Sequence, residues 1–424
     1  MLVRLDYGSD GLEVDLPQAP VTVIEPVFRQ ADPDPHGTLL AAMRAPIDSP
    51  PLRALARPGQ KVAISVCDIT RAQPRRDMLR AIFEEIPDIP LTDITILIAT
   101  GTHRINTDAE LERMLGRDIL DRCRVINHDS RDDTSLERIG TIATGVDVRL
   151  NREWLAADVR ITTGFVEPHF FAGFSGGPKL VAPGLAGLET VLTLHDARRI
   201  GDPQATWGIV EGNPVHDDIR AVVAAVGEVD FGLDVVLNKE QRIVEAFGGS
   251  LPEMHAAARE ASRRLAMQRV PALYDVVVTT NAGYPLDQNL YQAVKGMSAA
   301  YQVAKPGGTI VCAAECRDGF PDHGSYREVL ASADSPSALF AEISARTATV
   351  PDQWQVQIQA RIQADCRVVM HTSYLSDAEL ATAHLQQTAD VSATVAEALA
   401  AAGPDARLCV LPEGPQTIPY VEGG

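Results

Sequence analysis

Short apolar runs alternate with amphipathic stretches along most of this chain. The runs are rich in Val, Ile, Leu and Ala, which is typical of strands buried on both faces of a sheet. They span residues 62–66, 94–99, 159–162, 275–280, 309–313, 367–371 and 408–411. Helical patterns occupy residues 75–85, 108–115, 185–199, 252–268, 288–304 and 391–402. This alternation predicts an α/β fold with largely parallel sheets.

The strand–helix rhythm breaks near Val270-Pro271-Ala272 and restarts at Tyr274. We therefore predict two α/β domains, residues 1–270 for cofactor binding and residues 271–424, with an active-site cleft between them. The tail that begins near residue 366 can return to the first domain, and the pattern leaves that point open. Two further stretches follow the strand pattern: the N-terminus predicts a first strand, and the threonine- and valine-rich segment before the third apolar run predicts a β-hairpin over residues 140–150.

Composition excludes several classes of protein. The 424 residues include 38 basic and 57 acidic side chains, a net charge of −19, so a broad basic surface for nucleic acid is not expected. No stretch reaches the ~20 apolar residues of a membrane helix, and the N-terminus lacks the pattern of a signal peptide. The six cysteines are scattered without a CxxC pair, which predicts small buried thiols in a reduced, cytoplasmic protein.

Polar side chains follow three of the predicted strands at the point where each strand ends. They are Asp68 and Arg71 after the first, His103 after the second, and His169 and Lys179 after the third. Parallel strands bring such residues to one edge of a sheet, where ligands bind. Each has a simpler interpretation: a helix cap, a surface arginine, loop histidines, and a lysine in a plain glycine-rich turn. Their combination favours an active site.

Three candidates lie on predicted helices. His195 is either an ordinary histidine on a helix face or a metal ligand. Gln292 and Lys295 are three residues apart on one helix and therefore point from the same face. Such a pair of donors can hold a carboxylate, and an exposed helix surface explains it equally well.

Several familiar signatures are missing from the chain. No GxGxxG follows a strand, which argues against a conventional nicotinamide dehydrogenase. The segment Gly173-Phe174-Ser175-Gly176-Gly177-Pro178-Lys179 resembles a phosphate-binding loop only superficially, because Pro178 replaces the glycine before the lysine. HExxH and clustered cysteine ligands are absent too.

From about residue 62 to Trp354, the chain resembles the nickel-pincer lactate racemase family. The residues that carry the resemblance are Asp68-Ile69-Thr70-Arg71, Gly101-Thr102-His103-Arg104, Pro168-His169, Gly177-Pro178-Lys179, His195 and Tyr291-Gln292-Ala293-Val294-Lys295. The resemblance implies a nickel-dependent isomerase that racemises or epimerises a lactate-like 2-hydroxy acid.

The family's cofactor is the nickel complex of pyridinium-3,5-bisthiocarboxylic acid mononucleotide, which separate enzymes synthesise. The resemblance implies that Lys179 holds it through a thioamide, that His195 binds the nickel, and that Asp68 lies near it. Since the cofactor brings most of the metal's ligands, one protein ligand is enough.

The resemblance also implies roles in the reaction. His103 and His169 match the two acid/base groups, and the Cα hydrogen leaves as hydride, so that a planar 2-keto acid forms. The positions that match substrate contacts are Arg71, Tyr291, Gln292, Lys295 and Trp354.

Phe171, two residues after His169, is either core or a lining residue that favours a small substituent on the acid. Two alternatives to the racemase stay open at this point. One is a non-catalytic carrier of a nucleotide or nickel cofactor, which would need no paired bases, and the other is a conventional metal hydrolase.

Overall fold

A computed structural model of the chain describes residues 1–321 and 324–421. These residues form two compact units. The first-sheet unit comprises residues 28–195 and 208–264, and the second-sheet unit comprises residues 1–27, 196–207 and 265 onward. The domain boundary at residue 270 stays a prediction.

The strands alternate with helices along the chain. The strands are β1 Leu2–Leu5, β2 Leu12–Asp15, β3 Val21–Val23, β4 Val62–Cys67, β5 Ile94–Ala99, β6 Arg124–Asn127, β7 Leu136–Thr141, β8 Asp147–Asn151, β9 Val159–Phe165, β10 Pro168–His169, β11 Gly173–Phe174, β12 Phe231–Leu237, β13 Ile243–Gly249, β14 Met267–Val270, β15 Tyr274–Thr280, β16 Ala304–Ala313, β17 Arg367–His371, β18 Gln386–Gln387, β19 Leu408–Leu411 and β20 Ile418–Val421.

The helices are α1 Pro35–Arg44, α2 Leu52–Leu55, α3 Arg75–Glu85, α4 Asp108–Leu115, α5 Arg117–Leu120, α6 Arg152–Leu155, α7 Leu188–Leu194, α8 Ala197–Gly201, α9 Pro214–Ala225, α10 Leu251–Ala266, α11 Leu290–Tyr301, α12 Tyr326–Leu330, α13 Pro336–Ser344, α14 Gln353–Asp365, α15 Asp377–Thr382 and α16 Val391–Ala402. Short 3₁₀ turns cover Leu91–Asp93, Asp133–Ser135, Gly177–Leu180 and Gly414–Gln416. Among the described residues, no helix is both long and apolar enough to cross a membrane.

The first-sheet unit is built on a six-stranded sheet in the order β13-β12-β9-β4-β5-β6. All pairs are parallel except the hairpin β12–β13. Its core holds the buried faces of the central strands, with Ile64, Ile96 and Ile161 fully buried, packed against α3. A separate antiparallel pair, β7–β8, confirms the predicted hairpin.

The second-sheet unit is built on another six-stranded sheet, in the order β18-β17-β16-β15-β19-β3, and every pair in it is parallel. Its core joins Val276, Val311 and Val410 to residues of α16 and to Leu5 of the N-terminal hairpin β1–β2. The predicted α/β class with largely parallel sheets is confirmed. The six cysteines are buried free thiols, as their position in or near strands predicted.

Three predicted helices need correction. The pattern over residues 185–199 is two helices, α7 and α8, because Asp196 accepts a hydrogen bond from the Arg199 N–H and starts a new helix directly after His195. The helix predicted over 252–268 ends at Ala266, and the chain continues as β14, which pairs with β20. The helix predicted over 288–304 is shorter, since Asn289 caps it at the start and Ala304 already belongs to β16.

Candidate active site

Five of the predicted residues lie where the chain order of the first sheet reverses. The central strand β4 is the first strand of this sheet in chain order. The chain then adds β5 and β6 on one side of β4, and afterwards β9 and β12 on the other side. In open α/β sheets, ligands bind at the carboxyl ends of the strands that flank such a reversal. Those strands are β4 and β9, and the loops after β4, β5 and β9 carry the five residues Asp68, Arg71, His103, His169 and Lys179.

Asp68 and His103 form a hydrogen-bonded pair at this edge. The Asp68 Oδ2 lies 2.8 Å from the His103 Nδ1, and its Oδ1 accepts a hydrogen bond from the Thr70 hydroxyl at 2.7 Å. Burial favours a raised pKa for Asp68, but the hydrogen bond and charge of His103, with the charge of Arg71, outweigh it and lower the pKa. Asp68 is 2% exposed, whereas the His103 side chain is 45% exposed. An ionised carboxylate thus orients a histidine whose ring reaches solvent, which is the arrangement of a general base.

The two candidate acid/base histidines differ in which ring nitrogen carries the proton. Because the Asp68 carboxylate accepts from the Nδ1 of His103, the neutral ring keeps its lone pair on Nε2. In His169 the Nδ1 accepts from the backbone N–H of Ala172 at 3.3 Å, so the neutral ring keeps its proton on Nε2. The Nε2 of His103 therefore offers a lone pair that can take a proton, and the Nε2 of His169 offers an N–H group that can donate a hydrogen bond.

Phe171 packs among three predicted residues. Its ring meets the His169 ring edge-on at 4.4 Å and the His195 ring edge-on at 5.3 Å between centroids. The Lys179 Nζ lies 5.8 Å from the same ring. Phe171 is 5% exposed, and the structure thus brings His169, Lys179 and His195 together around one buried aromatic side chain.

His195 ends α7 and has a fixed ring orientation. Its Nδ1 lies 2.8 Å from the backbone carbonyl of Val191, and since a carbonyl only accepts, the Nδ1 carries the proton. The Nε2 is then the nitrogen with the lone pair, as a metal ligand requires. No group of three or more His, Cys, Asp or Glu side chains among the described residues is arranged to hold a metal ion.

The loop after β4 is held by a side chain that the sequence analysis did not single out. The guanidinium of Arg75, 7% exposed, donates to four backbone carbonyls between residues 67 and 73. These bonds fix the backbone that carries Asp68 and Arg71. A signal was present, because an arginine in the first turn of α3 opposes the helix dipole and needs another reason to be there.

Backbone bonds also tie the loops to one another. The Gly101 N–H, in the loop that carries His103, donates to the Gly184 carbonyl at 3.0 Å. The Ser65 hydroxyl of β4 donates to the Leu180 carbonyl at 2.7 Å, next to Lys179. The loops after β4, β5 and β9 are consequently parts of one connected structure within the first-sheet unit.

The four remaining predicted residues belong to the second-sheet unit. Tyr291, Gln292 and Lys295 lie in the first half of α11 and are partly exposed. Trp354, near the start of α14, donates from its Nε1 to the Tyr291 hydroxyl at 3.2 Å. The structure brings Tyr291 and Trp354 into contact, while the assignment of Gln292 and Lys295 to a substrate rests on the resemblance.

Fold and site geometry define an α/β protein with a carboxylate-oriented histidine, His103, at the carboxyl edge of a largely parallel sheet. Two family models match the chain, the lactate racemase N-terminal domain over residues 7–208 and the lactate racemase C-terminal domain over residues 269–418. The chain belongs to the lactate racemase family. The predicted class of enzyme, an isomerase of the racemase type, is confirmed.

Two relatives and two solved structures give the extent of the similarity. The lactate racemase of Thermoanaerobacterium thermosaccharolyticum is 34% identical over 422 residues, 98% of either chain. The lactate racemase of Lactiplantibacillus plantarum is 36% identical over 382 residues, 89% of either chain. The solved lactate racemase apoprotein from T. thermosaccharolyticum aligns over 99% of this chain and 100% of that chain, with a TM-score of 0.92 and 32% identity. A crystal structure of a Thermotoga maritima protein, with a TM-score of 0.66 and 18% identity over 93% of this chain and 100% of that chain, shares the fold.

Proposed function

We propose that this protein racemises a lactate-like 2-hydroxy acid with a lysine-tethered nickel-pincer nucleotide as cofactor. The Asp68–His103 pair at the carboxyl edge of the first sheet carries the proposal, because a non-catalytic carrier needs no oriented base. The names of the relatives support lactate or a close analogue as substrate.

The donor set around Phe171 fits the proposed cofactor. Lys179 would hold it covalently, and His195, with its proton on Nδ1, would offer its Nε2 to the nickel. The shortage of clustered protein ligands in residues 1–321 and 324–421 agrees with a metal that arrives already bound to a molecule. When bound, this cofactor supplies an acceptor for the Cα hydrogen and its bonding electrons.

The chain's own residues would handle the carboxylate and the proton. Arg71 would bind the substrate carboxylate with its planar guanidinium, and Gln292 and Lys295 would add donors. His103 would take the hydroxyl proton on its Nε2, and the Asp68 carboxylate would stabilise the resulting imidazolium. His169, in its imidazolium form, would give a proton to the carbonyl oxygen of the planar 2-keto acid when the Cα–H bond re-forms on the opposite face, and would thereby become neutral.

A metal hydrolase is the weaker alternative, since the described residues lack the ligand cluster that it requires. Cofactor-synthesis enzymes are the implied partners. We also propose a cytoplasmic location, which the six free thiols support.

The test is chiral chromatography of D- and L-2-hydroxy acids incubated with protein produced alongside the cofactor-synthesis enzymes. We expect interconversion of lactate or a close analogue, and a mass increase on the intact chain. The variant Lys179→Ala should lose the added mass, whereas Lys239→Ala, at an exposed lysine of the same unit, should keep it. An adduct on Lys179→Ala contradicts the anchor, and loaded protein that converts no acid supports the carrier.

A further inference from the structure

Beneath the loop that carries His169 and Lys179 lies a group of buried polar side chains with no part in the proposed reaction. They are Asn213, His216, Asp234 and His255, each at most 2% exposed. They come from α9, its N-cap, β12 and α10, all within the first-sheet unit. We name them the loop clamp, because each binds the backbone between residues 171 and 177.

Three members bind carbonyl oxygens of the loop. The Asn213 Nδ2 donates to the Phe171 carbonyl at 2.9 Å, and the His216 Nδ1 lies 3.2 Å from the Ala172 carbonyl. The His255 Nε2 lies 2.9 Å from the Ser175 carbonyl. Since a carbonyl only accepts, both histidines must place a proton on the named nitrogen.

The fourth member binds an N–H group at the start of the 3₁₀ turn that contains Lys179. The Asp234 Oδ2 accepts from the Gly177 N–H at 2.8 Å. Gly177 has φ of +50°, and a Cβ there would lie 2.4 Å from the His255 ring. The loop therefore rests directly on the clamp, with no room for a side chain between them.

The two histidines of the clamp are neutral at physiological pH. Their rings stack at 5.8 Å with an interplanar angle of 13°, so two positive charges there would repel. Burial lowers the pKa of His216 to about 3, and the charges of Arg259 and Arg220 act in the same direction. Burial and Arg259 likewise hold the pKa of His255 well below its ordinary value.

Neutral histidines close to a candidate active site can in principle serve as acid/base groups, but each of these two is buried and binds a backbone carbonyl of the loop through one ring nitrogen. A buried polar group that loses its partner is costly, so each clamp bond restrains the loop. Four such bonds over seven residues restrain the positions of His169, Phe171 and Lys179 together.

We infer that the loop clamp consists of positioning residues, which set the loop geometry needed for cofactor attachment at Lys179 and for proton transfer by His169. The clamp depends only on the first-sheet unit, so the loop is ordered before any cofactor binds. The expected effects on cofactor attachment and turnover rest on the proposed function. The claim that the clamp keeps the loop in one conformation does not.

The experiment uses full-length protein and exploits which nitrogen each histidine uses. Asparagine places an amide nitrogen where the histidine Nδ1 lies, and glutamine places one where the Nε2 lies. His216→Asn and His255→Gln should therefore keep the bonds, whereas His216→Gln and His255→Asn should lose them. The control is His128→Leu, because His128 is another buried histidine of the unit whose Nε2 donates to the Ala186 carbonyl, outside the loop.

The first readout is amide hydrogen exchange of residues 171–179 in protein made without the cofactor-synthesis enzymes. We expect protection in the wild type, and exchange about ten- to a hundredfold faster in the two bond-losing variants, as loss of a buried hydrogen bond implies. The bond-keeping variants should remain close to wild type. In His128→Leu, faster exchange should appear outside this segment.

The second readout is the adduct on Lys179 and the kinetics of loaded protein. The bond-losing variants should form less adduct and have lower kcat at a nearly unchanged KM, because Arg71 lies on another loop. Equal defects in the Asn and Gln variants at each position, or unchanged loop exchange, would overturn the inference. If the bond-losing variants show faster loop exchange but loaded wild-type protein racemises no acid, the positioning role of the clamp is supported and the proposed function is contradicted.

Discussion

The two six-stranded sheets, one largely and one wholly parallel, differ in what lies at their carboxyl edges. At the first sheet, the loops after β4 and β5 present Asp68 and His103, and the His103 ring is 45% exposed. At the second sheet, the chain's own N-terminal segment closes the edge. There the Asp6 N–H donates to the Pro412 carbonyl, and the Gly8 N–H donates to the Asp287 carboxylate.

Polar residues at strand ends are thus not sufficient evidence of an active site. Asp287 of the second-sheet unit is as deeply buried as Asp68, but one of its oxygens accepts two backbone N–H groups, from Gly8 and Glu315. The candidate residues of this unit lie on helices α11 and α14 instead of at strand ends. The two carboxylates differ in their hydrogen-bond partners. Asp68 binds His103, a side chain that reaches solvent, whereas Asp287 binds backbone N–H groups.

The largest expected effect is on kcat, and it distinguishes a histidine at the first edge, His103, from a histidine at the second edge, His371. His103→Ala should lower kcat about 10³-fold, because it removes the proposed general base. His371→Ala, at the end of β17 in the second sheet, should leave turnover near wild type, since the His371 Nδ1 binds the backbone carbonyl of Thr388. Chiral chromatography with loaded protein measures both. Comparable turnover in the two variants would remove the contrast between the edges.

The next effect concerns the buried carboxyl group of the first sheet. Burial raises the pKa of Asp234 to about 7, against an ordinary value of 3.8, although the Gly177 N–H acts to lower it. The folded protein therefore binds this proton more tightly than the unfolded chain, and this contribution to stability is lost as pH rises from about 4 to 7. Asp234→Asn should gain stability relative to wild type by about 1.4 kcal/mol per pH unit in that window, and the gain should level off above pH 7. Urea unfolding at several pH values tests it, and a difference independent of pH contradicts it.

Much of the fold follows from periodicity alone. The central strands β4 and β5 are nearly continuous apolar runs, and β9 is buried along most of its length. The helices α3 and α4 have the predicted bounds, because local pattern and burial agree there. The break of the helix at His195 depends on the cap formed by Asp196, which apolar periodicity does not reveal. The return of the N-terminal residues to the second-sheet unit depends on contacts distant in sequence.

The candidate site divides in the same way. Asp68, His103 and Lys179 follow recognisable strands, so their convergence could be predicted from topology. The loop clamp could not be predicted, since its partners are backbone groups that a sequence does not display as a pattern. The signal for Arg75 was its unfavourable position in the first turn of α3, which does not reveal its partners.

A smaller effect distinguishes the two buried carboxylates by what they do. Asp68→Asn should lower kcat about 10²-fold with little loss of stability, because it removes the charge that orients and stabilises His103. Asp287→Asn should instead lower the free energy of unfolding by roughly 1–3 kcal/mol with little change in kcat, because it weakens charge-assisted bonds to two backbone N–H groups. Measuring kcat and the free energy of unfolding in urea for both variants tests this difference between the two carboxylates. A kinetic defect in Asp287→Asn as large as that in Asp68→Asn would contradict it.

The smallest effect tests how the N-terminal segment holds the second edge. The Tyr7 hydroxyl lies 2.5 Å from the Ser373 hydroxyl, and burial raises the pKa of Tyr7 to about 12, so the phenol stays protonated and hydrogen-bonded at neutral pH. Tyr7→Phe should lower the free energy of unfolding by about 1 kcal/mol while the ring keeps its packing. Ser373→Ala should cost a similar amount, and the double variant should cost less than the sum, because the two groups share one bond. Additive losses in the double variant would mean that this bond does not fasten the segment, leaving the backbone bonds of Asp6 and Gly8 to close the edge.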